Sequence, residues 1–362
     1  MTTHATTPSP AAALDENALM AFVFRAVDEV GAALNCALVV MGDRLGYYRA
    51  LAEGPRTAAE LAQATGTGER YAAEWLAAQA AGDFVRYDPQ SGRFTLPAEH
   101  VVALTDETSP AYLPGFFQIA FGTISDASQI FDRARDGDGL SWGDHSHDVH
   151  EGCERFFRPG YAANLVSSWL PALTDVVPKL ERGARVHDLG CGYGASTVLM
   201  AQAFPRSRFV CSDAHRASIE VAEQRAAEAG VTDRVSFTAA SATTVAGAGY
   251  DLVTIFDALH DMGDPVGCAR RVHDLLADDG TWMIVEPAAG DRIEDNLNPV
   301  GRAYYGFSTL LCTPSSLSQD VGLAIGTQAG PARIRDIVTA AGFTQFRIAA
   351  QTPFNNVLEV RK

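Results

Sequence analysis

The stretch FDALHDMGDP at 256–265 sets four titratable side chains, Asp257, His260, Asp261 and Asp264, directly after YDLVTIF (250–256), an apolar run with the character of a buried strand. Histidine suits proton transfer because its ordinary pKa, near ~6.5, lies close to neutral pH. A carboxylate within reach can orient its ring, and Asp261 and Glu286, at the end of TWMIVEP (281–287), are the candidates. A second group lies upstream in RVHDLGCGYGAS (185–196), a strand followed by Gly190, Gly192 and Gly194 and then a helix. Glycines there permit a tight turn and a close approach of backbone to a ligand, whose polar groups meet the helix N-terminus. Asp213, ending RFVCSD, stands where an acid would meet ribose hydroxyls. The two groups together suggest proton transfer beside a nucleotide-like ligand.

These residues need a scaffold, and the chain is long enough for two cores at 362 residues. A composition of 47% hydrophobic and 20% charged residues is that of a soluble globular protein. The first residues have no basic and then apolar leader, and the longest apolar run (32–42) falls far short of the ~20 residues of a membrane span, so a cytoplasmic protein without a membrane partner is expected. Six scattered cysteines without a C-x-x-C pair predict reduced thiols and no metal framework. A net charge of −16 opposes a phosphate backbone, which argues against nucleic acid as a partner.

Residues 1–16 read as a disordered tail. From 19 to 51 apolar residues recur at three and four, predicting a long amphipathic helical stretch. Thr57 with Glu60 three residues on predicts a capped helix stopping at Gly66; a second helix follows at 68–82, then two short strands within 83–96. Helix, turn, helix and hairpin make a winged helix. DNA is the obvious ligand for one, yet residues 41–104 hold six arginines and no lysine against eight acids. That lacks the basic stripe phosphates need, so a scaffold or dimerisation role is expected. Residues 105–180 are aromatic-rich and end in a helix-like segment (164–177).

From 184 onward strand and helix patterns alternate, predicting an α/β doubly wound sheet with strands at 184–188, 207–212, 235–239, 250–256, 281–286, 345–350 and 356–361 and helices at 195–203, 216–229, 265–276 and 331–341. The glycine loop also fits a dinucleotide fingerprint. Asp188 before the first glycine would repel a pyrophosphate, but it suits a ligand bearing an amino group. The last two strands are joined by a turn too short for a helical crossover and must be antiparallel.

With the D-L-G-C-G-Y-G loop at 188–194, Asp213, the A-L-H-D strand exit and the terminal hairpin, the chain resembles the class I S-adenosylmethionine-dependent methyltransferases. Its winged-helix front end narrows the resemblance to small-molecule enzymes of the plant-type and polyketide O-methyltransferase kind, in an actinobacterial-type branch. The resemblance implies a Rossmann-like seven-stranded methyltransferase sheet with a terminal antiparallel hairpin, preceded by a mostly helical winged-helix domain. The expected division is a tail (1–16), a winged-helix dimerisation domain (17–105), a helical linker and pocket-covering segment (106–180) and a cofactor-binding domain (181–362).

It also implies S-adenosylmethionine as cofactor, a homodimer and a small-molecule acceptor. Asp188, Gly190 and Gly192 would hold the methionine end and Asp213 the ribose. Ala214, Ser241 and Ala242 would edge the adenine, with Phe256 also at the cofactor. His260 would be the general base, with Glu286 as a supporting acid and Asp261 either orienting the ring or serving as a helix cap or surface group; the alternative for His260 is that it packs or caps the helix begun by Pro265. Trp142, Phe156, Tyr161 and Tyr304, with Phe157, Tyr305 and Phe307, could line an aromatic acceptor pocket. A second supporting acid known in such enzymes has no counterpart in GPARIRDI (330–337), which leaves N-, C- and S-methylation open beside O-methylation.

Related enzymes acting on 2-oxo acids hold iron with an H-D pair and another histidine, but 286–330 contains no histidine, so no metal is expected. The cluster His145, His147, His150 with Asp144 and Asp148 reads as a solvated loop. A cofactor-sensing winged-helix transcription regulator and a dehydrogenase are the rival functions.

Overall fold

The computed structural model describes residues 14–362, which divide into compact units at Pro97 and Ala98. Of the expected tail, residues 1–13 lie outside the described residues. Its last three do not continue a tail: the Asp15 carboxylate accepts the Asn17 and Ala18 N–H groups and Glu16 opens the first helix.

In the first unit the helix Glu16–Arg44 buries Val39, Val40 and Gly42 near its C-terminal end, and its Asn35 accepts from Gln79 (2.6 Å). Gly42 is required there, since a Cβ would lie 2.4 Å from the Trp75 ring. Trp75 donates to the Leu38 carbonyl (2.8 Å) and takes Tyr47 and Tyr48 edge-on. Thr57 and Glu60 form a reciprocal capping box on the helix Ala58–Thr65, which stops at Gly66 with φ 67°. The helix Glu69–Ala81 and the hairpin of β1 (Arg86–Asp88) and β2 (Arg93–Thr95) complete the winged helix.

The second unit opens with helices Ala98–Thr105, Pro114–Asp136 and His147–Asn164, then a π-helical turn Leu165–Trp169. The two long helices cross closely because Gly115, Gly122 and Gly152 stand at the crossing. A Cβ on any of them would fall within 3 Å of the other helix's backbone.

The sheet follows, formed by β3 (Arg185–Leu189), β4 (Arg208–Asp213), β5 (Val235–Ala239), β6 (Tyr250–Phe256), β7 (Leu276–Pro287), β8 (Gln345–Gln351) and β9 (Asn355–Arg361). Its order is β5-β4-β3-β6-β7-β9-β8, parallel through β7, with β9 antiparallel to both its neighbours. Helices cover both faces, so β6 and β9 are almost wholly buried. Chain order reverses between β3 and β6, where a doubly wound sheet opens a crevice at its carboxyl edge. The chemistry-bearing stretches leave the sheet there.

Candidate active site

A cavity of about 910 Å³ lies at that edge, within the second unit. The glycine loop forms one wall. Gly190, Gly192 and Gly194 all have positive φ (65°, 52° and 77°), and Gly190 N–H donates to the Ser212 carbonyl (2.8 Å), docking the loop onto β4. Asp213 Oδ2 accepts the Gly192 N–H (3.0 Å) and Oδ1 the His215 N–H (2.8 Å), so this carboxylate both fixes the loop and faces the cavity. Ala214, Ser241, Ala242 and Phe256 line the same space.

Asp188 has a different place from the one expected. Its Oδ2 accepts the hydroxyls of Ser196 and Thr197 (both 2.6 Å), its Oδ1 that of Thr254 (2.8 Å), and it is wholly buried off the cavity wall. Three hydroxyls replace its hydration, and the carboxylate ties β3, β6 and the helix Ala195–Ala203 together beneath the loop. It supports the loop from beneath.

Across the cavity, Leu259–Asp261 form a single 3-10 turn that holds His260 buried on the wall. Its Nδ1 pairs with Glu286 Oε2 at 2.6 Å, while Glu286 Oε1 accepts the Leu259 N–H at 2.9 Å. Glu286, itself 3% exposed, thus sets both the turn and the ring and turns Nε2 toward Asp261. Asp261 Oδ1 is 3.4 Å from Nε2, near enough to be felt as charge. Burial works to lower the imidazole pKa, but Glu286 and then Asp261 outweigh it and hold it well above the usual value.

Asp264 has the plainest role of the four, capping the helix Pro265–Leu275 through the Gly267 N–H. His260, Asp261 and Cys312 bring potential ligand atoms within 4.8 Å of one another, a group whose third member no spacing rule indicated. Burial and then Asp261 push the Cys312 thiol up to about 12, which makes it at neutral pH a protonated neighbour of the other two.

The remaining wall is aromatic. Trp142, Phe156, Tyr161 and Tyr304 all line it, as do Phe157 and Phe307, whereas Tyr305 does not. Phe116, which the sequence did not single out, stacks on Phe156 at 4.6 Å. The histidine cluster is no solvated loop. His147 begins a helix and is exposed, but His145 and His150 are buried, His145 Nδ1 pairing with Asp126 (3.2 Å) and His150 Nε2 with the Trp142 carbonyl (2.9 Å). The three histidines point to separate partners, and only His150 joins the cavity wall.

Residues 180–322 match a family described as a methyltransferase domain, and residues 32–106 match an Rv2258c-like winged HTH domain. An uncharacterised protein of Synechococcus sp. is 33% identical over 123 residues, which span 33% of this chain and 29% of that protein. The mitomycin biosynthesis 6-O-methyltransferase of Streptomyces lavendulae is 27% identical over 316 residues, 81% of this chain and 88% of its own. Human N-acetylserotonin methyltransferase, solved in complex with S-adenosylmethionine, superposes with a TM-score of 0.69 at 16% identity, covering 97% of this chain and 99% of that one.

Proposed function

We propose that this chain, which matches a methyltransferase domain and an Rv2258c-like winged HTH domain, moves the methyl group of S-adenosylmethionine onto a hydroxyl oxygen of a small, aromatic acceptor. The observation that carries this reading is one cavity whose walls bring together the glycine loop, Asp213, His260 and a set of aromatic rings. Asp213 would take the ribose hydroxyls, Ala214, Ser241 and Ala242 the adenine edge, and Gly190 and Gly192 the methionine. Trp142, Phe156, Tyr161 and Tyr304 would hold the acceptor.

The reaction is a direct displacement. The acceptor oxygen bonds to the methyl carbon as the carbon–sulfur bond breaks, giving S-adenosylhomocysteine, and the hydroxyl proton passes to His260. Most of the acceleration comes from holding oxygen and methyl in line. An imidazole raised by Glu286 is a stronger base than free histidine, closer to a phenol near ~10, which narrows the gap for proton transfer.

Methyl-labelled S-adenosylmethionine given with a panel of hydroxylated aromatics should label the hydroxyl compounds and none of their methoxy counterparts. Label appearing only on amines would move the acceptor atom to nitrogen.

The regulator reading is not favoured. On the helix that would read DNA, Arg70 pairs with Glu74, so its cation is already answered within the helix.

We also propose that a second copy of the chain covers the helix Glu16–Arg44. Phe22, Phe24, Val27, Val30 and Leu34 on it are each more than 60% exposed, an apolar surface that solvent does not favour. Light scattering should give twice the chain mass of 38.6 kDa. The double variant Phe22→Glu, Phe24→Glu should return one chain mass. A monomeric parent protein would contradict the proposal.

A further inference from the structure

The proposed donor carries an ammonium group on its methionine, and the acid that the sequence offered for it, Asp188, is closed off by three hydroxyls. Most other carboxylates on the cavity wall are committed or remote. Asp213 is held by Gly192 and His215, Glu154 pairs with Arg158 and Arg225, and Asp264 caps a helix. Asp261 lies against His260, and Asp320 is exposed.

Asp257 is placed differently. It follows β6, whose Ile255 is in register with Leu189 of β3, so it leaves the sheet beside the glycine loop. A Cβ on Gly190 would lie 3.0 Å from that of the next residue, Ala258. Its N–H is anchored to the Val285 carbonyl at 2.7 Å, and its φ of 48° is one that L-residues other than asparagine, aspartate and glycine seldom hold. Tyr161 OH donates to Oδ2 and Asn355 Nδ2 to Oδ1, both at 2.9 Å. These donors are neutral: they aim the carboxylate without forming an ion pair with it. Burial, and then Glu286, push this carboxyl up to about 8, with His260 and the Tyr161 hydroxyl acting the other way.

We propose that Asp257 receives the ammonium group of the donor's methionine moiety, in the role the sequence suggested for Asp188. This rests on the reading of S-adenosylmethionine as the donor. Tyr161 and Asn355 hold the carboxylate in position, so one tyrosine serves the donor through its hydroxyl while its ring belongs to the aromatic wall.

The test is calorimetric titration of the full chain and of Asp257→Asn with two ligands. S-adenosylhomocysteine carries the ammonium; 5′-methylthioadenosine keeps the nucleoside and thioether but lacks the amino-acid part. Asparagine tolerates the left-handed backbone, so the variant should fold. It should bind S-adenosylhomocysteine about ten- to a hundredfold more weakly, the range for losing a charged hydrogen-bond partner, with methylthioadenosine unchanged. Should Asp257→Asn not fold, Asp257→Gly, which also accepts this φ, is read the same way. Equal weakening of both ligands, or unchanged S-adenosylhomocysteine binding with a change only in acceptor KM, would overturn the proposal. A parent protein that binds neither ligand would overturn the donor reading itself, which separates the two failures.

Discussion

His260→Ala should lower turnover by about two to four orders of magnitude, the contribution of a positioned general base, while S-adenosylhomocysteine affinity stays at the parent value. The split is expected because His260 bonds to Glu286 and faces Asp261, whereas the glycine loop is held by Asp213 and Ser212. Glu286 raises the imidazole pKa, so only the unprotonated fraction can take a proton, and turnover should climb with pH on the alkaline side of ordinary histidine. Glu286→Gln removes the charge that favours imidazolium. The rising limb should then move to lower pH, and the plateau should fall because a weaker base is left. Steady-state rates across pH for the three proteins check this. A His260→Ala protein with parent turnover, or a limb that Glu286→Gln does not move, would remove His260 as the base and leave it as packing for the turn 259–261.

The second large effect is on the donor. Asp213→Ala should weaken S-adenosylhomocysteine by about a hundredfold or more, since charge-assisted hydrogen bonds at about 1.5–3 kcal/mol each are lost at a group that also holds Gly192 and His215. Methylthioadenosine should suffer equally, because it carries the same ribose. That distinguishes this position from Asp257, where the two ligands should part. Unchanged binding to Asp213→Ala would mean that the nucleoside lies elsewhere on the cavity wall.

The strands of the sheet were legible because each is written in local pattern. β6 is one apolar run, the turn between β8 and β9 is too short to cross over, and the Thr57–Glu60 capping box announces its helix within four residues. The glycine loop and Asp213 could be read the same way, each being a strand end with a distinctive residue. Asp188 shows where this stops. Its position was clear, but its partners Ser196, Thr197 and Thr254 come from two further elements, and only the fold shows that they surround it.

The helices Pro114–Asp136 and His147–Asn164 were hidden for a related reason. Gly115, Gly122 and Gly152 are poor helix formers, yet they are the residues that let the two helices touch. Asp257 was visible in the sequence as one acid among four. Its hydrogen bonds to Tyr161 and Asn355, almost a hundred residues away in each direction, give it a separate identity. Cys312, brought beside His260 by the π-helical turn Ser308–Cys312, left no signal in spacing at all.

The measurement that tests the account most directly is calorimetric titration of the purified protein with S-adenosylhomocysteine, with NADH as the control. Saturable binding of S-adenosylhomocysteine at one site per chain, with none of NADH, is the predicted result. Preference for NADH, or no binding of S-adenosylhomocysteine, would contradict the methyl-donor reading of the glycine loop and Asp213, and the assignments built on it would fall.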